Sequence, residues 1–142
     1  MNRSEPFVVC RLGPSHYAIP ARLVQQLEMV ETITRVPGSA SYVEGVVYLR
    51  GQVVPVVNLR ARFGMERIPY DLSARLVVIR VDERVVGLAV DSASEFLTFP
   101  DGALQPAPQT MGEQHLSGVV ASEERLILIL DVSKLLADAT LA

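Results

Sequence analysis

The sequence predicts an all-β protein built as two small barrel-like lobes, and three observations carry that expectation. Valine is the commonest residue and falls in runs of four to eight, the pattern of buried or half-buried strands. Gly, Pro, Asp and Ser bound these runs where tight turns belong. The order of runs and turns then recurs in the second half of the chain.

Taken in order, strands are expected at 7–12, 16–19, 45–49, 53–59, 75–81, 85–90, 116–121 and 125–130, with 26–36 and 93–99 also extended. Gly13-Pro14-Ser15, Arg50-Gly51, Asp82-Glu83 and Ser122-Glu123-Glu124 each separate two runs as hairpin turns do, which makes successive strands antiparallel. Pro20 is placed to open a turn of helix reaching Gln26, since proline is tolerated at the first helical position. One helical turn is expected over 59–63, and Asp131 or Ser133 can cap a final helix containing Leu135 and Leu136. Pro100, Gly102, Pro106, Pro108 and Gly112 make the stretch between Phe99 and Gln114 mostly loop.

The repeat is visible in register. Tyr42-Val43-Glu44-Gly45-Val46-Val47 matches His115-Leu116-Ser117-Gly118-Val119-Val120, and the same spacing of 73 relates 53–59 to 126–132. Upstream, 9–12 matches 78–81 at a spacing of 69. Each half supplies about five strands, too few for a large sandwich and suited to a small closed barrel that hides its edges.

Composition excludes several classes of function. At 142 residues, 49% hydrophobic and 20% charged, the chain can bury roughly 70% of its extended surface and is too apolar for disorder. The net charge is −3 and the basic residues are scattered, so nucleic acid finds no footprint. Cys10 is the only cysteine, which excludes an internal disulfide and fits the cytoplasm. No apolar run approaches the roughly 18 residues that cross a bilayer, so no direct membrane insertion is expected. His16 and His115 show no metal-ligand spacing, and neither a P-loop, a Gly-x-Gly-x-x-Gly nor a Gly-x-Ser-x-Gly occurs. Cys10, within a strand, reads as an apolar filler, and Asp82, Glu83, Glu123 and Glu124 as solvated hairpin tips. The chain is expected to be no enzyme and to need no cofactor or metal.

Segment 42–60 is denser in specific features. Gly45 suggests close approach by another backbone, Arg50-Gly51 puts a guanidinium on a hairpin tip, and Pro55 inside a strand marks an edge or bulge. The run Leu49-Arg50-Gly51, followed by Val53-Val54-Pro55-Val56-Val57-Asn58-Leu59-Arg60, resembles the signature of the CheW-like family of chemotaxis coupling proteins. The resemblance extends over about 7–136 and includes Val85-Val86-Gly87-Leu88-Ala89-Val90-Asp91, Pro106-Ala107-Pro108 and the closing 126–136.

That resemblance implies a single domain over 7–136, made of two intertwined five-stranded SH3-like barrels with halves near 7–66 and 75–136, strands exchanged between lobes, and a C-terminal helix. It implies a non-enzymatic adaptor joining the cytoplasmic tip of methyl-accepting chemoreceptors to the regulatory domain of the histidine kinase CheA, recruited to membrane-associated receptor arrays. The matched receptor-site positions are Val24, Gly45, Arg50, Gly87 and Ala93, with Arg50 the polar anchor and the small residues admitting a receptor helix. Leu27 is the matched kinase-contact position, and an apolar residue there equally suits the core. Two departures stand out: Tyr48 replaces the family's common Asn, and Gln105, Gln109 and Thr110 replace charged and aromatic residues of the Pro-rich loop that packs signalling rings. Two alternatives remain, a kinase regulatory module of the same fold and a small β-barrel that binds an apolar ligand.

Overall fold

The computed structural model describes residues 5–100, 102–107 and 115–137. Eleven strands appear among them: β1 (Pro6–Leu12), β2 (Ser15–Pro20), β3 (Val24–Met29), β4 (Val43–Leu49), β5 (Gln52–Asn58), β6 (Arg75–Val81), β7 (Arg84–Val90), β8 (Ser92–Thr98), β9 (Leu104–Gln105), β10 (Leu116–Ser122) and β11 (Arg125–Leu130). Two short helices follow the last strand of each half, α1 (Leu59–Arg62) and α2 (Val132–Ala137). Asn58 caps α1, its side chain accepting from the Ala61 N–H at 3.0 Å, and Asp131 accepts from the Lys134 N–H at 3.1 Å at the head of α2. Pro20 opens only a 3-10 turn, Ala21–Leu23, and the chain is already extended at Val24. Burial alternates along 24–29, half-buried at Val24, Gln26 and Glu28 and exposed between them, the period of a strand that pairs with β6 rather than of a helix.

A six-stranded sheet runs β8-β1-β2-β11-β10-β9 and a five-stranded sheet runs β3-β6-β7-β5-β4. If β6, β7, β8, β10 and β11 are matched to β1, β2, β3, β4 and β5 by the 69- and 73-residue spacings, the two orders are the same. Each sheet takes a hairpin from one half and three strands from the other, the six-stranded sheet adding the short β9. The five-stranded lobe nevertheless uses one contiguous stretch of chain, 24–90, which is inserted between the β2 and β8 of its neighbour.

The hairpins pair antiparallel, as do β1 with β8 and β3 with β6 where the halves meet, but the other two seams between the halves are parallel. Residues 127–129 of β11 run parallel to 16–18 of β2, and 56–58 of β5 run parallel to 87–89 of β7. Pairing of distant segments leaves no mark in local sequence, so these two parallel seams lie beyond the turn signals that make successive strands antiparallel. Pro55 lies one residue before the parallel ladder begins at Val56, where its missing N–H costs no bond.

Three buried clusters result. Val9, Ala18, Val120, Ile127 and Ile129 fill the six-stranded lobe, and Val47, Val54, Val56, Leu76, Val78 and Ala89 fill the other. The largest cluster lies between the lobes and draws on both, with Cys10, Leu12, Ile19, Val57, Leu59, Ile79, Leu88, Leu130, Leu135 and Leu136 fully buried or nearly so. Burial pushes the Cys10 thiol up to about 12, which leaves it protonated and inert.

Candidate functional site

Arg50 and Gly51 form the two-residue tip of the β4–β5 hairpin, with φ of 51° and 80°. Positive φ at both positions is the geometry of a tight turn that matches strand twist. The turn lifts the Arg50 side chain clear of the sheet into solvent. Behind it, Tyr48 and Val53 face each other across the hairpin and are 73% and 60% exposed. A cation on a rigid tip beside an apolar pair can anchor a carboxylate while covering adjoining hydrocarbon.

The other sequence-derived positions are distributed differently. Val24 opens β3, is half-buried and packs against the core between the lobes. Ala93, on β8, is 7% exposed and sits in the same core. Gly45 and Gly87 are both buried and lie in one cross-strand row, each paired with Val56. A Cβ on Gly45, where φ is 145°, would sit 2.1 Å from the Thr34 carbonyl oxygen, and one on Gly87 would meet Leu76 at 2.8 Å. The room a side chain would need at the two glycines is therefore taken by this chain's own Thr34 and Leu76. Leu27 stands on the outer strand of its sheet, paired with Val77 and 43% exposed.

Two polar clusters fix the backbone around these positions. Asp91, at the crossing from β7 to β8, accepts from the Gly13 N–H at 2.7 Å and from Arg60 Nη2 at 2.6 Å, while Arg60 Nε donates at 2.9 Å. The Arg60 guanidinium holds the Asp91 carboxyl below its ordinary range. At the foot of β4, Asn58 donates to Glu44 at 2.6 Å and to the Tyr70 hydroxyl at 3.0 Å, and Tyr70 donates to Glu44 at 3.1 Å. Burial, then the Glu44 charge, pushes the Tyr70 phenol up, so it remains a donor. Asn58, Arg60 and Asp91 all belong to the motif stretches read in the sequence, but the side chains that Asn58 and Arg60 meet in these clusters are 12 or more residues away and carry no local signal.

A bidentate pair spans the six-stranded sheet, Arg125 to Glu95 at 2.8 and 2.9 Å. His16 lies beside it, and burial together with the Arg125 and Arg11 charges lowers its pKa. Phe63 stacks on both Tyr17 and His115, at 5.3 and 5.8 Å between ring centroids. Among the described residues no three His, Cys, Asp or Glu gather as metal ligands, and no helix is long and apolar enough to cross a membrane. Gln109 and Thr110 of the Pro-rich loop lie outside the described residues.

Comparison with known proteins gives a consistent picture. The chain is similar to the chemotaxis protein CheW of Klebsiella aerogenes, 31% identical over 141 residues covering 97% of this chain and 85% of that protein. It is similar to a probable chemotaxis protein CheW of Rhizobium etli, 33% identical over 136 residues covering 92% and 86%. Its fold matches the scaffolding protein TtCheW of Thermoanaerobacter tengcongensis with a TM-score of 0.84 at 23% identity, over 92% of this chain and 86% of that one. The model of the CheW-like domain matches residues 6–140. With its motif residues on the Arg50 hairpin and the Asn58 cap, and with that match over nearly all its length, the chain belongs to the CheW-like family.

Proposed function

We propose that this protein is a non-enzymatic adaptor of chemotaxis signalling that couples the cytoplasmic tip of methyl-accepting chemoreceptors to the regulatory domain of the histidine kinase CheA. The observation that carries the reading is the Arg50 hairpin: a solvent-facing guanidinium held on a tight two-residue turn. Its placement supports Arg50 as the receptor anchor, with Val24 beside the core and Gly45, Gly87 and Ala93 holding β4, β7 and β8 in position. Leu27, exposed on the opposite sheet edge from β4, supports a separate apolar contact for the kinase. Recruitment to membrane-associated arrays then follows from the receptor.

Titration of wild type and Arg50→Glu against a receptor tip fragment and, separately, a kinase regulatory domain tests this reading. Arg50 is exposed, so its reversal is expected to cost within about 0.5 kcal/mol of stability. Loss of a charge-assisted anchor is expected to weaken the receptor complex by roughly 2–5 kcal/mol and leave kinase binding intact. Undiminished receptor binding would remove Arg50 from the site.

A further inference from the structure

The geometry points to a closable seam in the five-stranded lobe: residues 30–33 are poised to zip onto the free edge of β4, and Glu31 holds them off. In the six-stranded lobe, β9 covers the edge of β10 through two successive pairs, Gln105 with Val119 and Leu104 with Val120. Val46 and Val47 are the counterparts of Val119 and Val120, yet a single bridge, Thr34 to Val46, covers them. Thr34 and Val46 exchange both backbone bonds, at 2.9 and 2.8 Å. The β4–β5 turn is closed by Leu49 and Gln52. In a two-residue hairpin that pair is hydrogen-bonded, so alternate residues Tyr48 and Val46 direct their N–H and C=O away from β5. Val46 meets Thr34, whereas the outward groups of Tyr48 have no partner among the described residues.

Extending the Thr34 to Val46 register antiparallel sets Ile33 opposite Val47, Thr32 opposite Tyr48 and Glu31 opposite Leu49. Ile33 already packs against the lobe core on the side of Val47. Val30-Glu31-Thr32-Ile33-Thr34 is rich in β-branched residues that favour strands, but β3 stops at Met29. What stands in the way is side-chain alternation. Facing Leu49 turns the Glu31 carboxylate toward the barrel interior, where it loses hydration without a cationic partner. A gap of about 130 Å³ remains instead, lined by Glu28, Met29, Glu31, Thr32, Tyr48 and Leu49 over Val47 and Leu76. Glu31 and Thr32 already line that gap and Thr34 is already bridged to Val46, so the tethered residues 30–33 are the fitting occupant.

Because β4 leads directly into the Arg50 turn, closing the seam ties down one leg of the hairpin that carries the guanidinium. The seam is thus a regulator of the Arg50 face, a consequence that rests on the receptor reading above. Amide hydrogen exchange on the full chain tests the seam by itself. In wild type, the Tyr48 N–H is expected to exchange at least tenfold faster than that of Val46. Glu31→Val is expected to slow Tyr48 exchange at least tenfold, and the neutral isostere Glu31→Gln to slow it less, in the same direction. Tyr48 already as protected as Val46 in wild type would overturn the proposal, as would unchanged exchange in both variants with native spectra. Protection of Tyr48 that arises only on adding a receptor fragment would overturn the assignment of residues 30–33 as occupant. For the regulatory part, Glu31→Val is expected to change receptor-fragment affinity at least threefold, and an unchanged affinity with a closed seam would overturn it. If Arg50→Glu leaves receptor binding intact, the receptor reading fails and the exchange result still stands.

Discussion

Asp91 and Arg60 meet at 2.6 Å across the junction of the two lobes, and the same carboxylate oxygen receives the Gly13 N–H at 2.7 Å. One side chain so ties the β1–β2 turn, α1 and the β7–β8 crossing together. Asp91 and Arg60 are 23% and 15% exposed, so solvent screens the contact only partly.

Asp91→Ala is expected to lower stability by about 2–3 kcal/mol, the scale of lost hydrogen bonds to a charged group. The carboxyl is depressed in the folded protein, chiefly by hydrogen bonding from Arg60. Its contribution is therefore full above the ordinary carboxylate value of 3.8 and lost as pH falls through the lower folded value. Urea unfolding at neutral pH and below pH 4 checks this: the gap between wild type and Asp91→Ala should narrow in acid.

The acidic hairpin tips store removable strain. Asp82, Glu83, Glu123 and Glu124 all have positive φ, between 50° and 70°, a region that costs L-residues roughly 1–2 kcal/mol each. Glu83→Gly and Glu124→Gly are each expected to stabilise by about 1 kcal/mol, read as a rise in Tm of about 3–4 °C. No rise in either variant would show that these turns contribute through their carboxylates.

Substitution of the two motif glycines should separate by severity. Gly45→Ala drives a Cβ into a backbone carbonyl, with no flexible atom to yield, and is expected to cost roughly 3 kcal/mol or more. Gly87→Ala meets the Cγ and Cδ1 of the Leu76 side chain, both at 2.8 Å, which can give more readily than backbone, and should cost about 1–3 kcal/mol. Thermal unfolding of both variants orders them, and any loss of receptor binding in either must be read against that loss of stability.

A fragment of residues 1–70 cuts both sheets. It leaves β1 and β2 without β8 and β11, and β3 and β5 without β6 and β7. The exposed edges and the missing core between the lobes are expected to leave it unfolded or aggregated. Co-expression with 71–142 should restore a single cooperative transition, and a sharp reversible transition from 1–70 alone would contradict the arrangement.

Hairpins were the most legible part of the fold, because Arg50-Gly51 and the acidic pairs mark turns through local backbone chemistry. Gly45 was legible as a close-approach position, although only the structure identifies Thr34 as what approaches. The parallel seams were not legible, since His16 and Ile127 are neighbours through tertiary packing that no local period encodes. Site residues on a tip, such as Arg50, announce themselves by turn chemistry. Those that brace the site, such as Asp91 and Tyr70, act through partners distant in sequence.

The inserted position of the five-stranded lobe sets an order of assembly during synthesis. All five of its strands have been made once Val90 leaves the ribosome, whereas β1 and β2, made first, wait for 92–98 and 125–130 before their sheet is complete. The earliest hairpin is thus the last to acquire both neighbours, and its apolar residues stay exposed to chaperones and to other nascent chains for most of translation. Synonymous slowing of translation after residue 90 should lengthen that interval and lower the yield of soluble protein, even though the finished sequence is unchanged.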